Sequence, residues 1–205
     1  TLNGFNQSRD SIEINWGDGN NGFYARINGP IGGPNGVPQG EFVFPQILMS
    51  KYKGVHTYSN QDSFFVVSKP YHNRKDNIVN INNGNSVGTY FHLEDTIYIN
   101  DPNEIGANRS PVFLNPLPMF TQVNDSFRYN PATFDADGDS LSYELIVPKT
   151  EDGYPVPNYR FPDEVSPGIT NKFIVNSQTG EITWAVPKQM GTYCFALLVK
   201  EFRND

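Results

Sequence analysis

The chain has one cysteine, Cys194, in 205 residues. It therefore has no internal disulfide. No run of apolar residues approaches the roughly 20 needed for a membrane-crossing helix, so membrane insertion is not expected. Charged residues are only 18% of the chain, and the formal net charge is −7. With no cluster of Lys and Arg, nucleic acid and anionic membranes are poor partners, because both require concentrated positive charge. Catalytic signatures are missing too. There is no Gly-x-Ser-x-Gly elbow, no His-Glu-x-x-His, no phosphate loop and no dinucleotide glycine motif. The histidines His56, His72 and His92 are widely spaced, which disfavours zinc, and His56 is expected to pack within its strand. The chain is read as non-enzymatic.

Also lacking is an apolar stripe of 3.6-residue period sustained over three turns, so no substantial helix is expected. What is present is 14% aromatic residues, 37% hydrophobic residues, eighteen Gly and sixteen Pro. Short β-branched and aromatic runs recur between clusters of Gly, Asn, Asp and Pro, the pattern of strands joined by tight turns. Ile12–Trp16, Gly22–Ile27, Ser63–Ser68 and Asn77–Asn82 read as strands in the first half. Asn28 to Gln39, dense in Gly and Pro, reads as a long loop. In the second half, strands are expected at Pro111–Leu114, Ser126–Asn130, Leu141–Val147, Lys172–Val175, Glu181–Trp184 and within Gly191–Phe202. The polar stretch Asn100–Pro111 separates the two strand-rich blocks, and length favours two modules, residues 1–107 and 108–205. The fold class is all-β, two immunoglobulin-like β-sandwich modules in tandem. The abrupt ends, Thr1-Leu-Asn and Arg203-Asn-Asp205, read as those of a piece trimmed from a longer extracellular chain.

Particular motifs carry a resemblance. Ile14-Asn-Trp-Gly-Asp-Gly19, Gly54-Val-His-Thr-Tyr58 and Phe64-Phe-Val-Val67 resemble the polycystic-kidney-disease (PKD) type of immunoglobulin-like domain, with Asp18 capping the turn. The Gly/Pro insertion and the material from Arg74 to Ile99 depart from that pattern and imply additional strands. Residues 108–205 resemble the cadherin-like modules of bacterial surface proteins. The match runs through Asn108-Arg-Ser-Pro111, Phe134-Asp-Ala-Asp-Gly-Asp-Ser-Leu-Ser-Tyr-Glu-Leu145, Ser177–Trp184 and Gly191-Thr-Tyr193. The order of motifs as a whole is similar to large secreted proteins of gliding Bacteroidetes that use type IX secretion. The resemblance implies a secreted or cell-surface, structural and adhesive role. The implied partners are other modules of the same long chain and surface glycans or proteins.

Asp135, Asp137 and Asp139 alternate in a tight turn, a spacing that can gather carboxylates around one hard cation. An EF-hand loop is excluded, since Ser140 stands where its Gly should be and Ile146 where its bidentate Glu should be. The cadherin resemblance implies further ligands from the linker, namely Asp101, Asn103, Glu104 and Asn108. On that reading the cofactor is a structural Ca2+ that acts as a strut between modules. Equally open is a turn in which Asp side chains merely cap backbone amides. Cys194 lies in an apolar run and is expected to act as a small core residue. Trp16 and Trp184 are expected in cores. Tyr154 and Tyr159, in a Pro-rich loop, support an alternative function, a carbohydrate-binding accessory module of a polysaccharide-degrading enzyme, if both are exposed.

Overall fold

In the computed structural model, residues 10–32, 36–44, 47–59, 63–71, 74–99, 108–115 and 120–203 are described. Among them the chain is all-β, with several antiparallel sheets and one short α-helix, α1 (Pro162–Val165). The strands are β1 (Ser11–Asn15), β2 (Asn21–Ala25), β3 (Glu41–Phe44), β4 (Ile47–Met49), β5 (Ser63–Tyr71), β6 (Phe91–Ile99) and β7 (Val112–Phe113). They continue with β8 (Phe127–Tyr129), β9 (Thr133–Phe134), β10 (Ser140–Ile146), β11 (Lys172–Val175), β12 (Ile182–Ala185) and β13 (Ala196–Phe202). Two compact units result: Thr1–Pro70 with Leu93–Asp101, and Tyr71–His92 with Pro102–Asp205.

The first unit is organised around a four-stranded sheet of order β2-β1-β5-β6. β1 and β2 form a hairpin closed by Trp16-Gly-Asp-Gly-Asn20, where the Trp16 amide donates to the Asn20 carbonyl at 3.0 Å. Asp18 caps this turn as the sequence implies, its Oδ1 accepting the Asn20 amide at 3.0 Å. Gly17 is required twice over. Its φ is +82°, and a Cβ there would lie 2.6 Å from the Val66 carbonyl oxygen. Behind the turn runs a ladder of rings, with Trp16 stacked on His56, Tyr58 edge-on to His56, and Tyr58 stacked on Phe65. The Tyr58 hydroxyl donates to the Trp16 carbonyl at 2.8 Å, so this aromatic contact also satisfies a backbone acceptor. The base of the Gly/Pro loop is clamped by the buried Arg26 guanidinium, which reaches Asp10 and the Pro38 carbonyl.

In the second unit β10 and β13 pair over seven residues, from Ser140 opposite Phe202 to Ile146 opposite Ala196. A three-stranded sheet, β11-β12-β8, packs the core residues Phe173, Ile182 and Trp184 against Phe127, Leu145, Tyr193 and Phe195. Alternation explains which residues point inward: Ile182 and Trp184 are buried while Thr183 between them is not. The Trp184 indole N–H donates to Asn171 Oδ1 at 2.8 Å, so the polar edge of this buried ring is paired.

Residues 71–92, which the sequence places with the first module, pack in the second unit. Ile78, Ile81 and Val156 form a second small core, joined by Tyr159 and Cys194. Asn80, 1% exposed, is its polar pin: its Nδ2 donates to the carbonyls of Arg160 (2.9 Å) and Cys194 (2.7 Å), and its Oδ1 accepts the Cys194 amide (2.9 Å). The strand expected at Asn77–Asn82 is not formed. Asn77 and Asn82 take φ of 57° and 44°, which asparagine tolerates, and the segment folds into turns with one bridge from Ile78 to Thr192. Burial of Ile78 and Ile81 by neighbouring loops has overridden their β-propensity.

Candidate metal centre

The acidic turn follows β9 and leads into β10. Asp135 is 9% exposed, and its Oδ1 accepts the amides of Asp137 (2.9 Å) and Asp139 (3.0 Å). This is the amide-capping role that the turn reading foresees. It leaves the other oxygen, Oδ2, buried and without a hydrogen-bond partner. An uncompensated carboxylate oxygen in that position is costly unless something positive meets it.

Glu201, near the end of β13, comes to the same place. Register sets Glu201 opposite Leu141, two residues beyond Asp139. One oxygen from each of Asp135, Asp139 and Glu201 lies within 4.8 Å of the others. Oxygens that share one calcium at about 2.4 Å can be no more than about 4.8 Å apart, so the three meet the distance condition for a common hard cation. Burial pushes the Glu201 carboxyl above its ordinary value; Asp139 and Asp135 push the same way, while a hydrogen bond from Asn108 opposes them. Asn108 thus reaches the cluster through Glu201.

Asp137 does not face the triad. Its Oδ2 accepts the Arg109 amide at 2.7 Å, and its carboxylate meets the guanidiniums of Arg109 (3.7 Å) and Arg203 (3.5 Å). Arg203 also holds Asp139 at 3.0 Å. The three aspartates therefore do not converge as a set: Asp135 and Asp139 gather with Glu201, and Asp137 turns to the arginines. The four carboxylates Asp135, Asp137, Asp139 and Glu201 thus outnumber the guanidiniums of Arg109 and Arg203 that meet them. Asp101, Asn103 and Glu104 lie outside the described residues.

The residues that sequence reading missed are Glu201 and Arg203. Spacing could not reveal them, because they stand more than sixty positions after the acidic turn. The available signal was an acid and a base alternating at the end of an apolar strand, Leu197-Leu-Val-Lys-Glu-Phe-Arg203.

Tyr159 is largely covered and its hydroxyl donates to the Cys194 carbonyl at 3.1 Å, whereas Tyr154 is 69% exposed, so the two tyrosines do not form a paired platform. Cys194 packs against the small core and its Sγ accepts from Arg74 Nη1 at 3.3 Å. Burial pushes its thiol up, against the pull of Arg74. His56 Nε2 lies 2.7 Å from Asp18 Oδ2, and His92 lies in β6; among the described residues neither joins a group of metal-ligating side chains. His72 lies outside the described residues. The chain matches no family model, and no curated protein or solved structure is significantly similar to it.

Proposed function

We propose that this chain is a non-catalytic, structural and adhesive pair of immunoglobulin-like modules, PKD-like and cadherin-like, from a secreted or cell-surface bacterial protein, and that its second unit is stiffened by calcium. The observation that carries the calcium part is the buried, unpartnered Oδ2 of Asp135 beside Asp139 and Glu201. Oxygen-only donors and an excess of carboxylates over guanidiniums fit Ca2+ better than a thiophilic metal. The residues that would hold the ion are Asp135, Asp139 and Glu201, with Asn108 adjoining through Glu201. Bound there, the ion would supply charge compensation and tie the acidic turn to the end of β13.

The adhesive role is supported by the resemblance of the motifs and by an architecture of short strands with long connecting loops. The test is calorimetric titration of the whole chain with CaCl2, alongside melting in calcium and in chelator. At an ion concentration a hundred times Kd, linkage stabilises the folded state by about 2.7 kcal/mol, a melting rise of several degrees. Asp135→Asn should abolish the rise. No heat of binding and identical melting in calcium and chelator would remove the calcium reading.

A further inference from the structure

We infer that Arg203 is a tethered counter-cation that occupies Asp139 when no ion is bound and so sets how tightly the site takes a divalent ion. This rests on the reading of Asp135, Asp139 and Glu201 as an ion site. The guanidinium engages both oxygens of Asp139, with Nε 3.4 Å from Oδ1 and 3.1 Å from Oδ2, and Nη2 3.0 Å from Oδ2. The same Nη2 lies 3.5 Å from Asp137 Oδ2. A planar fork holds two carboxylates in fixed geometry in this way, whereas an ammonium meets them as a point charge.

Asp139 belongs to both arrangements. It is one corner of the triad, yet its two oxygens already accept from Arg203. An arriving ion must therefore share Asp139 with the guanidinium or displace it. The partner free to move is the arginine, whose side chain is 24% exposed against 9% for that of Asp139. Arg109 is differently placed, since it touches Asp137 and its side chain is 67% exposed. Arg203 is thus the positive group that competes directly for a ligand oxygen. The consequence is a weak, adjustable site, filled only where divalent ions are abundant, whose Asp139 corner stays compensated when they are scarce.

The test is calorimetric calcium titration of the whole chain as wild type, Arg203→Gln and Arg203→Lys. A unit charge about 6 Å from a divalent ion, in a water-like dielectric, changes affinity about tenfold. Arg203→Gln should therefore bind calcium about tenfold more tightly, and Arg203→Lys, which keeps the charge and loses the fork, should fall between. Wild type and Arg203→Gln binding equally, or Arg203→Gln binding more weakly, would overturn the role of Arg203 while leaving the ion site standing. If neither binds at 10 mM CaCl2, roughly ten times the millimolar weak end of calcium sites, the ion site itself fails. Binding by Arg203→Gln alone would support the competitor role. Should Arg203→Gln not fold, the Lys variant decides, and an unchanged affinity there counts against the proposal.

Discussion

Replacing Asn80 by alanine tests whether residues 71–92 belong structurally to the second unit. The Asn80 side chain is buried and makes three hydrogen bonds, two donated to the carbonyls of Arg160 and Cys194 and one accepted from the Cys194 amide. A net contribution of about 1 kcal/mol per bond gives about 3 kcal/mol, and the stranded Cys194 amide adds about 1–3 kcal/mol of desolvation. The expected loss is therefore about 4–6 kcal/mol, a large share of the roughly 5–15 kcal/mol that holds a typical protein together. Urea unfolding followed by tryptophan fluorescence measures it, because Trp184 reports the second unit's core. Asn80→Asp should be no better: it keeps the acceptor for the Cys194 amide but sets a carboxylate against two carbonyls. A loss below about 1 kcal/mol in Asn80→Ala, with an unchanged slope, would refute the claim that this asparagine pins the segment. A chain of residues 108–205 alone lacks Asn80, Ile78 and Ile81 and should be less stable than the whole chain's second unit for the same reason.

Two further predictions concern titration and reactivity. The His56 contact holds the Asp18 carboxyl below its ordinary value of 3.8, burial pushes the other way, and the Asn20 amide assists the lowering. A depressed folded-state value contributes stability that is present above the unfolded value and is lost as pH falls through the folded one. Melting temperatures followed from pH 6 down to pH 2, a range of roughly two units on either side of the free carboxyl, should therefore show an acid loss that Asp18→Asn lacks. Parallel curves would count against the pair. The Cys194 thiol, pushed up by burial, should react with iodoacetamide at least about tenfold more slowly in the native chain than in urea, read by mass spectrometry. Equal rates would show that the thiol is open to solvent.

Local pattern carried much of the architecture. Alternation located β1, β2, β10, β11 and β12 closely, because a strand with one covered face writes a period of two into its residues. The Trp-Gly-Asp-Gly turn was legible for a similar reason: positive φ at Gly17 and amide capping by Asp18 are local demands that few residues meet. Asn77–Asn82 misled for the opposite reason. Ile78 and Ile81 look like strand residues, but their burial is granted by Val156 and Cys194, far along the chain.

The acidic turn shows the same division. Composition and spacing by themselves determined an all-β chain without a disulfide, and an acidic loop at Asp135–Asp139 able to cap its own backbone. Both follow from neighbours along the chain, where propensity and short-range hydrogen bonds act. Tertiary structure alone decided that Asp137 leaves the group, that Glu201 joins it and that Arg203 stands over Asp139. Those choices depend on the register of β13 against β10, which delivers charges from the end of the chain to a turn more than sixty residues earlier. Coulomb interaction depends on distance in space, and only the folded sheet sets that distance.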